Sequence, residues 1–197
     1  PVELPLHYAD HEAYQLVCSY RRKLELPADI AGKRYFLQFD GAAHIASVFV
    51  NGVAAGEHRC GYTAFQLDIT GLVKPGENEV AVRLDTTENP EVPPFGFVID
   101  YLTYGGLYRE AWLIEKNASF IRDVTVVTPT VDRAEIEVET ENFSGEVDYA
   151  ILTQSGETLW HSREKKLKVS AQRLSARPWR PEEPNRYVLR VRLMNGG

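Results

Sequence analysis

Arg133-Ala134-Glu135-Ile136-Glu137-Val138-Glu139-Thr140 alternates apolar and polar side chains without a break. Ala134, Ile136 and Val138 fall on one face of an extended chain, and Glu135, Glu137 and Glu139 on the other. A period of two belongs to a strand, so the stretch predicts an antiparallel strand with one buried and one wet face. The pattern recurs downstream in Val147, Tyr149 and Ile151, in Leu167 and Val169, and in Tyr187, Leu189, Val191 and Leu193. Upstream, residues 14–26, 33–40, 44–50, 62–68, 78–85 and 107–115 also predict strands. Asn51-Gly52, Pro75-Gly76 and Ser155-Gly156 mark turns between them, and Asn-Gly favours the positive φ that a tight hairpin needs. No window longer than ten residues keeps a helical period. Many short strands at regular spacing imply β-sandwiches. The expected boundary lies at Lys116-Asn117-Ala118. It divides a larger sandwich, 1–117, from a smaller, immunoglobulin-like one, 118–197.

Composition narrows the classes further. The 197 residues are 44% hydrophobic and 25% charged, which excludes collagen, low-complexity and fully disordered chains. No apolar run reaches the roughly 20 residues of a membrane helix, so no membrane partner is expected. Pro1-Val-Glu-Leu-Pro5 has neither the basic start nor the apolar stretch of a signal peptide, and its lack of an initiator methionine predicts a processed or cut chain. The net charge of −6 lies wholly in residues 1–117, with 10 Lys/Arg against 16 Asp/Glu. Residues 163–192 are basic, with ten cations to three acids. Arg190 and Arg192 alternate there with apolar neighbours, so the cluster reads as a solvated strand face and not as a nucleic-acid site. Cys18 and Cys60 cannot make a disulfide framework or a zinc site and read as buried free thiols. His44 and His58 lack further ligands at metal spacing, so no metal is expected. The compartment is not fixed by these residues; a bacterial cytoplasm or periplasm is the expectation.

Two stretches break the strand pattern. Residues 86–106 hold about 20 residues rich in Pro, Gly and aromatics, and long loops inside compact domains are usually functional. Residues 176–186 carry three prolines and read as a rigid connection, with Trp179 expected to plug the base of the second sandwich.

Several segments in order resemble the front end of glycoside hydrolase family 2, the group of β-galactosidases, β-glucuronidases and β-mannosidases. They are Tyr20-Arg-Arg-Lys-Leu-Glu-Leu-Pro27, Phe39-Asp-Gly-Ala-Ala-His44, Val48-Phe-Val-Asn-Gly52, His58-Arg-Cys-Gly-Tyr-Thr-Ala-Phe65, Asp68-Ile-Thr70, Gly76-Glu-Asn-Glu-Val-Ala-Val82, Asp100-Tyr-Leu-Thr-Tyr-Gly-Gly-Leu-Tyr-Arg109 and Pro178-Trp-Arg-Pro-Glu-Glu-Pro-Asn-Arg-Tyr187. The sequence departs from the family at Cys60, where Gly is usual. The resemblance implies an all-β chain, a jelly-roll (galactose-binding-like) sandwich followed by an immunoglobulin-like one that ends after a late strand. It implies that the TIM barrel bearing the two catalytic glutamates is a missing partner, so no catalytic residue is expected here.

The resemblance also assigns roles. Asp100 is expected to reach the active-site rim and accept a hydroxyl of a terminal β-linked sugar, as a carboxylate can without transferring a proton. In some galactosidases the same residue helps to hold sodium, so sodium or magnesium is implied for the intact enzyme but no cofactor for this chain. Gly105 and Gly106 are expected to turn the chain sharply into the 107–115 strand. Arg109 is expected to support the loop by pairing with a carboxylate. Tyr101, Tyr104 and Tyr108 are expected to pack and not to stack on sugar. The implied function is the non-catalytic part of a retaining glycosidase, most nearly a β-galactosidase, with β-glucuronidase and β-mannosidase as alternatives and the parent a homo-oligomer. A free-standing carbohydrate-binding module is the reading from a different class.

Overall fold

The computed structural model describes residues 16–87, 89–93 and 105–194. The chain is all-β and divides into two compact units, Pro1–Asn117 and Ala118–Gly197.

The first unit is a two-sheet sandwich. One sheet joins β1 (Val17–Leu26), β6 (Gly76–Asp85), β3 (Ile45–Val50) and β4 (Val53–Arg59) in that order. The other joins β5 (Phe65–Asp68), β2 (Lys33–Phe39) and β7 (Ala111–Asn117). Every pairing is antiparallel. Alternation decides what is buried. Tyr35, Leu37 and Phe39 of β2 meet Ala46, Val48 and Val50 of β3 and Val80, Val82 and Leu84 of β6 in one core.

The second unit also has two sheets: β11 (Thr158–Glu164), β10 (Glu146–Thr153), β13 (Tyr187–Met194), and β12 (Lys168–Gln172), β9 (Arg133–Glu141), β8 (Phe120–Thr130). Ala134, Ile136 and Val138 point inward against Val147, Tyr149, Ile151 and Ala171. The acidic residues of β9 face its neighbours' polar side chains: Lys168 donates to Glu137 at 2.9 Å and Ser170 to Glu135 at 3.2 Å. Such exposed pairs add little each, but they keep this face wet.

Several expectations need correction. Strands β4, β8 and β11 were not predicted from the pattern. The strand expected over 107–115 begins at Ala111, because Leu107–Glu110 descend from a bridge between Gly106 and Ala43. The strand expected over 62–68 begins at Phe65. The two cysteines are free but only half-buried. Trp179 plugs nothing: it is 61% exposed on a loop closed by reciprocal backbone hydrogen bonds between Arg180 and Glu183. With Ile136, Ile151 and Leu189 it lines an open cavity of about 670 Å³ in the second unit.

Candidate functional site

Asp100, Tyr101 and Tyr104 lie outside the described residues. What the structure defines is the mount on either side of them. On the near side, Asn89 caps a short turn, with Glu91 N donating to Asn89 Oδ1 at 2.9 Å and Val92 N to Asn89 O at 3.0 Å. The turn drops Val92 into the protein, where it is 2% exposed. It also brings Pro93 O to 2.8 Å from Gly61 N.

On the far side, Gly105, Gly106, Leu107, Tyr108 and Arg109 are fixed one after another. Gly106 has φ of +116°, which an L side chain adopts only under strain, and exchanges two hydrogen bonds of 3.0 Å with Ala43. Gly105 has a different reason to be glycine: a Cβ there would stand 2.2 Å from Thr86 Cβ. The Tyr108 hydroxyl donates to Gly61 O. Its ring lies over Gly41, where a Cβ would come within 2.8 Å of Cζ.

Arg109 stacks on Tyr108 at 5.2 Å and reaches the carbonyl oxygens of Asp40 and Tyr62, each at 3.5 Å. Among the described residues its fork meets two carbonyls and no carboxylate within ion-pair distance, and the Asp100 carboxylate lies outside them. The Arg109 charge still helps to lower the Asp40 carboxyl, after the hydrogen bonds from Gln38 and Trp112 that do most of that lowering.

The chain before and after residues 94–104 is therefore tied to one residue, Gly61. Gly61 holds Pro93 with its N–H and Tyr108 with its carbonyl. Sequence reasoning missed Gly41 and Gly61 as parts of the mount. The signal was their place inside Phe39-Asp-Gly-Ala and Arg-Cys-Gly-Tyr, segments that entered only as part of the family resemblance. Next to Gly61, the Cys60 thiol titrates below its ordinary value. Burial pushes it up, but hydrogen bonding to Thr63 and Tyr62 outweighs that.

His44 and His58 have separate structural duties. His44 is buried, with Nδ1 3.4 Å from Thr87 O. His58 stacks on Phe65 with ring centres 4.3 Å apart and bonds Thr63 Oγ1 at 2.8 Å. Among the described residues no three His, Cys, Asp or Glu side chains gather as a metal site would require. Asp100, the residue implied as a sodium ligand, lies outside them.

The first unit is thus a two-sheet β-sandwich whose chain is anchored on both sides of residues 94–104. The chain belongs to glycosyl hydrolases family 2, whose sugar binding domain matches residues 2–117. It is 33% identical to a β-galactosidase of Thermoanaerobacter pseudethanolicus over 205 residues, covering 96% of this chain and 28% of that protein. Over 114 residues it is 41% identical to a β-glucuronidase of Bacteroides fragilis, covering 57% of this chain and 16% of that one. The crystal structure of an FMN-binding β-glucuronidase from Facaelibacterium prausnitzii superposes with a TM-score of 0.79 at 28% identity, over 92% of this chain and 30% of its own. The chain thus spans about a third or less of the length of these relatives.

Proposed function

We propose that this chain is the non-catalytic N-terminal part of a retaining glycosidase acting on terminal β-linked sugars, and that Asp100 is its contribution to the active-site rim. The observation that carries this reading is the clamp at Gly61. Two limbs held on one residue give the chain between them a fixed base, which a carboxylate needs if it is to meet a sugar hydroxyl in a constant position. The clamp has no obvious use in a module that only has to fold. The family and the names of its relatives support the reaction class. In a retaining enzyme two carboxyl groups about 5–5.5 Å apart do the chemistry, and both are assigned here to the part of the parent outside these 197 residues. The second unit, with its two three-stranded sheets over one core, fits an immunoglobulin-like spacer.

β-Galactosidase is the first choice of activity, supported by the Tyr104-Gly-Gly-Leu-Tyr-Arg109 spelling and the relative matched over 96% of the chain. β-Glucuronidase is the second, supported by the 41% identity across the stretch shared with the Bacteroides fragilis enzyme.

The test is Asp100→Asn in the full-length parent. A hydrogen bond to a charged group is worth about 1.5–3 kcal/mol, so kcat/KM should fall about 10- to 100-fold with the melting temperature unchanged. Unchanged kinetics would remove Asp100 from the site, and a misfolded variant would make it a scaffold of the loop.

A further inference from the structure

Strand register builds a second chemical surface on the first unit, on the side of the β5–β2–β7 sheet that faces away from the core. Because Tyr35, Leu37 and Phe39 point inward, Arg34, Phe36 and Gln38 point outward. Register then sets Gln38 between Trp112 on β7 and Gln66 on β5, and Phe36 between Ile114 and Asp68.

The side chains of this row are joined. Gln66 Nε2 donates to Gln38 Oε1 at 3.2 Å, Gln38 Nε2 to Asp40 Oδ1 at 2.8 Å, and Trp112 Nε1 to Asp40 Oδ2 at 2.8 Å. The chain of bonds fixes the plane of the indole. It also satisfies the one polar atom of Trp112 inside the protein, so what remains in water is apolar ring. Trp112 is 51% exposed. For a side chain of this size that leaves about 100 Å² of flat apolar surface uncovered, close to the area of one pyranose face. Phe36, on the next rung, is 8% exposed, covered by Arg34 at 6.0 Å and Lys116 at 5.2 Å from its ring. The sheet therefore shields one aromatic and leaves its neighbour bare.

We propose that this face binds a neutral oligosaccharide, with the C–H face of one sugar stacked on Trp112 and its hydroxyls donating to Asp40 and Gln38 and exchanging hydrogen bonds with Gln66. Charge complementarity selects the ligand class. Each Asp40 oxygen keeps a lone pair after its internal bond, and the amide of Gln66 keeps one donor and its acceptor. The cations of the face are engaged: Arg34 pairs with Asp68, Lys116 lies over Phe36, and Arg109 holds two carbonyls. A ligand bearing its own carboxylate meets the Asp40 carboxylate and no uncommitted cation, whereas a polyol meets acceptors. The inference uses no residue of the Asp100 stretch, so either reading can fail without the other.

The 197-residue chain is titrated with cellohexaose and with a β-1,4-galactohexaose, and separately with trigalacturonate, by tryptophan fluorescence and calorimetry. The expected result is a saturable signal with a neutral hexaose, weaker or absent with trigalacturonate. Trp112→Ala should weaken binding about tenfold or more, Gln66→Ala about threefold, and Trp179→Ala not at all. Gln66 is exposed and outside the core, so its variant decides the matter if circular dichroism shows Trp112→Ala misfolded. No saturable binding of either neutral hexaose overturns the proposal and leaves the face to a protein partner. Unchanged affinity in Gln66→Ala together with Trp112→Ala overturns it, as does tighter binding of trigalacturonate.

Discussion

Thr86 is held on both sides of its hydroxyl: Oγ1 accepts from Leu16 N at 3.0 Å and donates to Leu16 O at 2.9 Å. At 1% exposure it has nowhere to retreat, so an added methyl at Gly105 must displace the backbone of the mount itself. Gly105→Ala should therefore cost about 2 kcal/mol or more, as overpacking of a closed site does. A comparator lies nearby in chemistry but not in surroundings. Gly71 has open space where a Cβ would go and no positive φ, so Gly71→Ala should stay within about 0.5 kcal/mol of the unchanged chain. Urea titration of both variants checks the pair; equal midpoints would mean that the Thr86 contact is relieved at no cost. The doublet Gly105-Gly106 was legible as a turn, yet only Gly106 is glycine for its φ. The reason for Gly105 is a neighbour 19 positions away, and that does not show in a local pattern.

Among the elements, the β3–β4 hairpin shows how much more a turn can do than reverse a strand. Asn51 and Gly52 have φ of +51° and +81°, the positive pair that Asn-Gly foretold. The Asn51 side chain also reaches outside the turn, donating to Leu72 O and Asn78 Oδ1, both at 2.8 Å, and accepting from Glu79 N at 3.0 Å. Asn78, 1% exposed, accepts from Lys74 N at 2.9 Å and donates to Lys74 O at 2.7 Å and Gly76 O at 2.9 Å. The hairpin and the turn before β6 are thereby one polar unit. Asn78→Ala strands several of these groups at once and should cost about 3 kcal/mol. Hydrogen exchange should quicken at Lys74 and Glu79 before it does in the core of β2, and unchanged protection there would count against the shared network. The elements that the pattern missed share a weak alternation. Strands β4, β8 and β11 each lie at a sheet edge, and unlike the edge strand β13, whose alternation is plain, they lack a clean apolar face. Val53-Ala-Ala-Gly-Glu-His-Arg59 shows no alternation, Phe120–Thr130 contains Pro129, and Thr158–Glu164 is half-exposed. Central strands β2, β6 and β10 wrote their burial into the sequence; these edges had less to write.

At the scale of the whole molecule, the titrating groups act in two opposed sets, and together they shape stability against pH. Among the described residues six carboxyls sit below their ordinary range when folded. Asp148 is lowered by the His161 hydrogen bond and the nearby Arg163 and Arg190, and Asp40 by Gln38 and Trp112. Asp85 is lowered by Thr87, Glu115 by Lys33 and Tyr35, and Glu135 by Arg133. At Asp68 burial raises the value but Thr70 and Arg34 more than offset it. A lowered carboxyl contributes stability above its unfolded pKa, about 3.9 for Asp and 4.3 for Glu, and loses it as pH falls through the folded value. The other set is raised: Tyr20, Tyr35 and Tyr149 first by burial, Lys23 and Lys168 by hydrogen bonds to Glu77 and Glu137. Their contribution is complete below the unfolded values, about 10 for Tyr and 10.4 for Lys, and drains away as pH climbs through the folded ones. Urea midpoints should thus run level from about pH 5 to pH 9 and decline on either side. The acid decline steepens because 22 Lys and Arg and five His repel one another once the acids are neutral. Asp148→Asn removes one contributor, so it should be less stable than the unchanged chain at pH 7 and lose less between pH 5 and pH 2. A midpoint that rose as pH dropped from 5 to 3 would contradict the sign of all six carboxyls together.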